Sequence, residues 1–346
     1  MNLAPNDLTI ALAPWLEKVR TRPLDTHTDR ELQTCLAQCR ANGLDQLPLP
    51  GHGRTLQRWR VLAQVAAADL ALAKLYEGHT DALAIIAECA ATDLDTRGTW
   101  GVWAAEPPDA RVQIVARHGR EVRLQGRKAW CSGALQIDRA LLTAWDEQQR
   151  PQLVAVKLDD PGLRILGTGW QAVGMGSTAS VEVAFELCAG LQVGDSGQYL
   201  NRPGFWHGGG GIAACWYGAA AALASYLHEH CTSHPEPHAL AHLGTVDALL
   251  AGAASTLRET AQWIDGHPGA GAEVPVRRLR AQVEETASAV LAHVGRALGA
   301  TPYCRDAHFA RLGADLPVFL RQSHAERDLA ELGKQLASQP APEWSL

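Results

Sequence analysis

The feature of this sequence that most constrains its fold is a change of texture near Gly98, reversed near Asp195. Helix-forming residues dominate on both sides, whereas short β-branched or alternating runs fill the region between. These runs are residues 112–116, 121–124, 140–144, 152–156 and 180–185. Short strands that follow one another without intervening helices are typical of antiparallel sandwiches and barrels. The sequence therefore predicts an α+β protein whose central domain is an antiparallel β-sandwich or barrel.

The segment before the strands predicts an N-terminal helical domain. Leu56–Tyr76 has few polar residues, which indicates a helix buried over most of its circumference. Gly78 and His79 are predicted to interrupt it, and Asp81–Ala91 to continue as a further alanine-rich helix. The first 96 residues are therefore assigned to this domain, and residues 97–197 to the central β domain.

The segment after the strands predicts a second helical domain. Helices are expected over residues 213–230, 240–264 and 276–298, and over 307–334, where the chain either kinks near Pro317 or forms two helices that meet there. Helices of similar length joined by short loops indicate a four-helix bundle. We assign residues 198–338 to this C-terminal bundle and 339–346 to a tail.

Composition excludes several classes of protein. The chain of 346 residues has a formal net charge of −6 and no long basic run, which argues against nucleic acid as a partner. The N-terminus lacks the order of a signal peptide, and no apolar run approaches the roughly 20 residues that cross a bilayer. Eight scattered cysteines favour reduced thiols. A cytoplasmic protein without a membrane span is expected.

A short stretch in the strand region carries the best candidate for a binding site. It reads Gly126-Arg127-Lys128-Ala129-Trp130-Cys131-Ser132-Gly133. In an extended chain Trp130 and Ser132 project to the same side, so a flat apolar ring lies beside a short hydroxyl. Such a pair suits the stacking of a planar heterocycle and a hydrogen bond to its edge. The alternative for this stretch taken alone is a core tryptophan before a turn.

The domain order and five local motifs together resemble the acyl-CoA dehydrogenase superfamily. The Trp130 stretch resembles the Gly-x-Lys-x-Trp-Ile-Thr/Ser-x-Gly signature of that family, and Ala105-Glu106-Pro107 resembles its Thr-Glu-Pro. The remaining matches are residues 169–181, which resemble a Gly-Met-Arg-x-Thr-x-Ser stretch, the helix at residues 68–73 with His79, and Arg305-Asp306-Ala307. The resemblance covers about residues 40 to 335.

This resemblance implies that FAD lies between the β domain and the C-terminal bundle. Trp130 would pack against the isoalloxazine, and the Ser132 hydroxyl would reach its N5/O4 edge. Backbone groups near Ala104 and Ala105 would meet the pyrimidine end of the ring. The weaker candidates are Thr178 and Ser180 for the flavin, and His79, Trp103, Arg321 and His324 for substrate or cofactor.

Departures from the family pattern leave the reaction open. The region that normally carries Arg-x-x-Phe-Gly, whose arginine meets the FAD diphosphate, reads His228-Glu229-His230-Cys231-Thr232-Ser233-His234-Pro235. The catalytic glutamate is missing from its usual position, where Ala314 stands, and Asp315 follows it. Asp315 is therefore the candidate base for α,β-dehydrogenation of an acyl thioester, carried on CoA or on a carrier protein.

Two other functions remain open for the sequence. The first is a flavin monooxygenase supplied with reduced flavin by a separate reductase, a branch of the superfamily that needs no such base. The second is a non-catalytic paralogue that assembles with an active partner. The polar run over residues 319–328 places Arg321, His324 and Asp328 on one helical face, which is either part of a site or a solvated surface. The family resemblance also implies a homodimer or homotetramer.

Three further patterns bear on binding. Gly208–Gly211 precede a predicted helix, so their amides could bind an anion, or the glycines could permit a close helix entry. His234, His238 and His242 recur every four residues, but Pro235 and Pro237 break the register, so a polar loop is expected rather than a metal site. The order of residues gives no support to a Ser-His-Asp hydrolase.

Overall fold

The structure is a computed structural model that describes residues 7–21, 29–89, 91 and 93–338. The predicted tail at 339–346 lies outside these residues. Contacts group the described residues into two compact units. The first unit takes those within Met1–Trp15, Pro23–Leu49 and Ala71–Phe205, and the second takes those within Leu16–Arg22, Pro50–Leu70 and Trp206–Leu346.

Among the described residues four helices precede the strands, and one predicted boundary between them is wrong. They are α1 (Asp7–Arg20), α2 (Asp29–Ala41), α3 (Thr55–Ala68) and α4 (Leu70–Glu88). The chain breaks at Asp69, whose backbone is extended, and α4 then runs through Gly78 and His79 without interruption. Gly78 lies beside β1, where an added Cβ atom would make an ordinary contact of 3.9 Å with the backbone nitrogen of Val102.

In the described part of the first unit, seven strands form one sheet. They are β1 (Trp100–Trp103), β2 (Val112–His118), β3 (Glu121–Cys131), β4 (Arg139–Trp145), β5 (Pro151–Lys157), β6 (Leu163–Ile165) and β7 (Val181–Val193). The strand order is β1-β4-β2-β3-β7-β5, with β6 beside β7. β5, the last strand in this order, also pairs with β4. The region with strand texture in the sequence thus forms a sheet.

The sequence predicted an antiparallel sheet, and this prediction is wrong for two of the strand pairings. β1 pairs with β4 in parallel, and one bridge between Gln113 and Trp145 joins β2 to β4 in parallel. The other pairings are antiparallel. The chain reverses twice between β1 and β4, once in the β2–β3 hairpin and once between β3 and β4, so β1 and β4 run in the same direction.

One hydrophobic cluster holds α4 against the sheet within the first unit. Ile85 and Ile86 of α4 pack with Trp100 of β1, Leu141 of β4 and Val193 of β7, all nearly inaccessible to solvent. Burying side chains of this size contributes about 1.5–3 kcal/mol each relative to leaving them exposed. The cluster fixes β1, which leads directly into the candidate site.

Three of the helices predicted after β7 are longer in the structure, and the fourth is divided. They are α5 (Gln198–Asn201), α6 (Gly204–Ser233), α7 (Pro237–Gly266), α8 (Glu273–Leu298), α9 (Thr301–Arg305), α10 (Ala307–Phe319) and α11 (Glu326–Ala337). Of the two alternatives predicted for residues 307–334, the structure has two helices, but they meet beyond Pro317, because α10 passes through it to Phe319. A 3-10 helix at Leu320–Gln322 follows, and the chain breaks at residues 323–325 before α11 begins.

The four consecutive glycines lie inside α6, so of the two alternatives for them the anion-binding loop before a helix is wrong, and the close approach of a helix is nearer to the structure. Within the second unit, a Cβ atom at Gly210 would lie 2.5 Å from the Trp59 ring of α3. A Cβ atom at Gly218, two turns further on, would lie 2.0 Å from the carbonyl oxygen of Ala63. These glycines therefore let α3 and α6 pack with their backbones close together.

Two helices are long and apolar enough to cross a bilayer by length and composition alone. They are α6 and α7, each with a mean hydropathy of 1.2 over the best 18-residue window. The α6 window is 67% buried within the protein, as in the core helix of a soluble protein, whereas the α7 window is 17% buried. The sequence-based statement that no run approaches membrane-spanning length therefore does not hold for these two windows.

Candidate functional site

A β-bulge separates Trp130 from the regular part of β3. Lys128 pairs with Val183 of β7 and Cys131 pairs with Val181, so three steps along β3 match two along β7. The extra residue breaks the alternation of side chains. The prediction that Trp130 and Ser132 project to the same side assumed a regular strand, which β3 is not at this point, because it is irregular at Trp130 and ends at Cys131.

Trp130 occupies an unusual backbone conformation and is open to solvent. Its φ angle is 54°, in the left-handed region, which costs a residue with a side chain roughly 1–2 kcal/mol. Its side chain is nevertheless 52% exposed, so no core packing offsets this cost. A strained, exposed aromatic residue at a bulge points to a binding role.

Three hydroxyl groups form a connected chain beside the bulge. The Ser132 Oγ lies 2.8 Å from the Ser180 Oγ, which lies 2.7 Å from the Thr178 Oγ1. Thr178 donates its proton to the carbonyl oxygen of Met175 at 2.7 Å. Thr178 and Ser180 are buried, whereas Ser132 is half-buried. We call Ser132, Ser180 and Thr178 the hydroxyl chain.

A second polar cluster is centred on Lys128 of β3, two residues before Trp130, and its members bond to one another. The Lys128 Nζ is fully buried and donates to the Glu106 carboxylate, to the Thr143 hydroxyl at 2.7 Å and to the Thr143 carbonyl at 3.0 Å. Thr143 also donates to Glu106, and the Trp145 indole donates to the other Glu106 oxygen at 3.0 Å. We call Lys128, Glu106, Thr143 and Trp145 the lysine cluster.

The lysine cluster joins two of the sequence motifs. Burial lowers the pKa of Lys128, and the hydrogen bond with Glu106 opposes that shift. The glutamate belongs to the Glu-Pro motif after β1, and the lysine to the Gly-x-Lys motif of β3. The sequence indicated both motifs but contained no signal for Thr143 as their common partner.

The residues at the end of β1 are held near Ser132. Trp103 is 1% exposed, and its indole donates to the backbone carbonyl oxygen of Ser132 at 2.9 Å. Ala104 and Ala105, predicted to meet the flavin ring, follow β1 and are half-buried. Trp103 thus positions the backbone that carries the Ser132 hydroxyl.

His79 is fully buried in the first unit, with both ring nitrogens in use. Its Nδ1 accepts from the backbone N–H of Trp100 at 3.2 Å, so its Nε2 carries the proton that Asp45 accepts at 3.0 Å. Burial raises the pKa of Asp45, but the hydrogen bonds from His79 and Gln46 outweigh it and hold this pKa below its usual value. This arrangement gives His79 a structural role.

The remaining predicted site residues lie in the second unit. Asp315, the candidate base, lies within α10 and is 8% exposed. Arg321, His324 and Asp328 do not share one helical face, because the chain breaks between the 3-10 helix and α11. Asp328 instead accepts a hydrogen bond from the backbone N–H of His324 at 3.0 Å.

Arg321 lines a cavity of about 290 Å³ within the second unit, together with Trp206, Arg277, Arg280, Glu284 and Asp328 among others. The guanidinium groups bond to protein atoms: Arg321 to Glu284 at 2.7 Å, Arg277 to Asp328 at 3.1 Å and Arg280 to Gly209 O at 2.9 Å. Sequence reasoning missed Arg277 and Arg280, although Arg277-Arg278-Leu279-Arg280 is the densest basic run of α8.

The polar loop predicted for the repeated histidines is wrong for two of them. His238 and His242 lie in α7 rather than in a loop. The His242 Nδ1 lies 2.8 Å from the Nδ1 of His293 on α8. Within the described ranges, no group of three or more histidine, cysteine or acidic side chains is arranged to hold a metal ion.

Solved structures with the same fold are found at low sequence identity. FMN-bound TdsC from Paenibacillus sp. A11-2, a dibenzothiophene monooxygenase, superposes with a TM-score of 0.83 at 19% identity, over 98% of this chain and 99% of that one. A nitrososynthase from Micromonospora carbonacea var. africana gives 0.82 at 18% identity, over 98% of each chain. No protein-family model and no curated protein matches the chain.

A third neighbour extends the range of chemistry on this fold. Methanesulfinate monooxygenase MsuC from Pseudomonas fluorescens gives a TM-score of 0.78 at 17% identity, over 100% of this chain and 99% of that one. These neighbours have the acyl-CoA dehydrogenase-like fold of the flavin monooxygenase branch. The resemblance inferred from the sequence is therefore confirmed at the level of the fold, which this chain shares over its whole length.

Proposed function

We propose that this protein is a flavin-dependent monooxygenase that receives reduced FMN from a separate reductase. The observation that carries the proposal is the exposed Trp130 indole at the bulge, two residues before the half-buried Ser132 hydroxyl. An indole face and a hydroxyl suit the ring and the N5 edge of a flavin. The shared fold supports the same proposal, because two of the similar structures are monooxygenases.

FMN replaces the FAD predicted from the sequence. TdsC was solved with FMN bound, and none of the three similar proteins is described with FAD. The sequence agrees, because residues 228–235 contain no arginine to meet an FAD diphosphate. The residues around Trp130 fit the flavin ring that both cofactors share, since they combine an open aromatic face with hydroxyl and backbone groups.

Monooxygenation also replaces the predicted dehydrogenation of an acyl thioester. TdsC and MsuC are monooxygenases and the Micromonospora protein is a nitrososynthase, so none of the three is a CH–CH dehydrogenase. Bound reduced FMN would supply two electrons for the activation of O₂, with one oxygen atom entering the substrate and the other leaving as water. This reaction does not require a carboxylate to remove an α-proton, so Asp315 need not act as a base.

Each residue of the candidate site has a distinct task in this proposal. The Trp130 ring covers one face of the flavin and excludes water from it. The Ser132 hydroxyl contacts the N5 edge, and Trp103 fixes the position of the Ser132 backbone. The lysine cluster fixes the strand segment immediately before the bulge. The predicted association with a reductase belongs to this proposal, and the predicted homodimer or homotetramer stays a prediction.

The test begins with flavin and oxygen alone. The full chain is mixed without oxygen with photoreduced FMN, oxygen is then admitted, and flavin absorbance is followed in a stopped-flow instrument. We expect the protein to bind reduced FMN and to change its rate of reoxidation relative to free FMN. A matched sample receives an acyl-CoA with oxidised FMN under anaerobic conditions. Bleaching of the flavin in that sample would contradict the proposal and restore dehydrogenation.

A second measurement follows the oxygen atom. Indole is a suitable first probe because TdsC has been solved with indole bound. With reduced FMN and ¹⁸O₂, we expect one ¹⁸O atom in an oxidised product detected by mass spectrometry. A small sulfinate is the second probe, since MsuC acts on methanesulfinate. Products that carry oxygen from water instead of O₂ would argue against a monooxygenase.

A further inference from the structure

The hydroxyl chain has a direction that can be derived from its proton count. Each serine or threonine hydroxyl has one proton to donate and two lone pairs to accept. A carbonyl oxygen only accepts, so in the contact between Thr178 and the Met175 carbonyl the proton belongs to Thr178. Thr178 has then used its single proton, and in its contact with Ser180 it must accept.

The same counting fixes the remaining contact. Ser180 donates to Thr178 and has no second proton, so it accepts from Ser132. Ser132 donates its own proton to Ser180 at 2.8 Å. Hydrogen bonds that run in one direction through a buried chain polarise and strengthen one another. The buried Thr178 end therefore determines the role of the half-buried Ser132 end.

Ser132 is left with lone pairs and no proton for a ligand. Its backbone is also fixed, because its carbonyl accepts from Trp103 and its N–H donates to the carbonyl of Trp130 at 3.0 Å. The N5 atom of oxidised flavin is an acceptor, whereas the N5 atom of reduced flavin carries a proton. Two acceptors facing each other do not form a hydrogen bond, but N5–H and the Ser132 Oγ do.

We propose that Ser180 and Thr178 are positioning residues that make the Ser132 hydroxyl a hydrogen-bond acceptor, so that the site selects reduced over oxidised FMN. This inference rests on the proposed function, because it takes flavin as the ligand of Ser132. It assigns to two buried side chains a role in selecting the oxidation state of the cofactor. A site with this selectivity keeps reduced FMN bound and releases the oxidised product.

The test compares the dissociation constants of oxidised and photoreduced FMN for the full chain, both measured by anaerobic titration calorimetry. For the wild type we expect reduced FMN to bind about tenfold more tightly, the size expected of one well-formed hydrogen bond. Ser180→Ala releases the Ser132 proton, which can then be donated to the N5 of oxidised FMN. We expect this variant to bind oxidised FMN more tightly and the ratio to fall to within about twofold of unity.

Two further variants distinguish the mechanism from a general loss of structure. Thr178→Val keeps the side-chain shape but removes the anchor of the chain, so Ser180 can donate to Ser132 and the ratio should again fall. Ser132→Ala removes the acceptor, so the ratio should fall through weaker binding of reduced FMN instead. Ser177→Ala, which removes a neighbouring hydroxyl outside the chain, should leave the ratio unchanged. If Ser180→Ala does not fold, Thr178→Val provides the same test.

The outcomes separate this inference from the proposed function. A wild-type protein that binds neither form of FMN overturns both. A wild type that binds FMN, with the same ratio in Ser180→Ala and in Thr178→Val, overturns the positioning role alone. A wild type that binds oxidised FMN more tightly than reduced FMN contradicts the direction derived for the chain.

Discussion

The lysine cluster and the hydroxyl chain both involve the end of β3, but they are completed differently. The three protons of the Lys128 ammonium meet three acceptors inside the protein, on Glu106 and Thr143. The hydroxyl chain begins at a buried carbonyl and ends at the half-buried Ser132, whose lone pairs remain available. A closed network stabilises the strand that carries it, whereas an open-ended network can accept a ligand.

The backbone is regular in the lysine cluster and strained beside the hydroxyl chain. At Lys128 the strand has regular pairing with Val183, whereas Trp130 occupies the left-handed region within the bulge. Backbone strain is therefore found at the exposed Trp130 and not at the buried Lys128. The comparison assigns stability to the lysine cluster and binding to the bulge, and each assignment can be tested by substitution.

The largest effect is expected from Glu106→Gln. This change leaves the buried Lys128 ammonium without its carboxylate, and breaking one partner of a buried pair costs about 3–5 kcal/mol. Because the Glu106 side chain is 30% exposed, we expect the lower end, about 3 kcal/mol of unfolding free energy. Urea denaturation measures it. The double variant Glu106→Gln with Lys128→Met should recover part of the loss, and no recovery would mean that charge pairing is not the cause.

The same variant should also depend on pH. In the wild type, burial lowers the pKa of Lys128 from its ordinary 10.5 and Glu106 opposes the shift. Without Glu106 the pKa falls further, and above it the folded chain holds fewer protons than the unfolded chain. Stability then rises with pH, so the gap to the wild type should narrow between about pH 7 and about pH 10. A constant gap across this range would contradict the assignment.

Trp130 should affect flavin binding strongly and stability little. We expect Trp130→Ala to weaken FMN binding about tenfold, because it removes an aromatic face, and Trp130→Phe to retain most of the affinity. Trp130→Gly should lose the same affinity and gain about 1 kcal/mol of stability, because glycine accepts a φ of 54° without strain. Fluorescence titration and thermal unfolding measure the two effects, and unchanged FMN affinity in all three variants would remove Trp130 from the site.

Much of the fold could be predicted because local residue patterns determine it. Five of the seven strands contain a run that the sequence indicated, from Val112–His118 to Val181–Val193. The parallel pairing of β1 with β4 could not be predicted, because it depends on contacts between distant segments. The glycines of α6 could not be assigned from sequence because the same residue type serves both loops and close packing, and only the neighbouring α3 shows which applies.

The candidate site was predicted in its residues but not in its geometry. The Trp130 motif singled out the segment, yet strand alternation gave the wrong reason, because a bulge of one residue has no clear signature in sequence. Thr178 and Ser180 were named only as weak flavin contacts, and their connection to Ser132 requires β3 and the residues before β7 to be adjacent. The order of donors along the chain follows from atomic positions and not from residue types.

The smallest expected effects are losses of stability from substitutions in the hydroxyl chain, and they should decrease from Thr178 to Ser180 to Ser132. Thr178→Val removes two hydrogen bonds of a buried hydroxyl, the one it donates to the Met175 carbonyl and the one it accepts from Ser180, so about 1.5 kcal/mol of stability should be lost. Ser180→Ala should cost about 1 kcal/mol, because the Ser132 proton can turn to water. Ser132→Ala should cost about 0.5 kcal/mol, because it removes a donor and leaves every remaining proton of the chain in use.

Urea denaturation of the three variants under one set of conditions measures this gradient. In a chain with the opposite direction Ser180 would donate to Ser132, so Ser132→Ala would strand the buried Ser180 proton and would no longer produce the smallest cost. The order of the three losses therefore reports the direction of the hydroxyl chain without any flavin present. Agreement between this order and the FMN ratios would tie the oxidation-state preference of the site to the proton that Thr178 gives to the Met175 carbonyl.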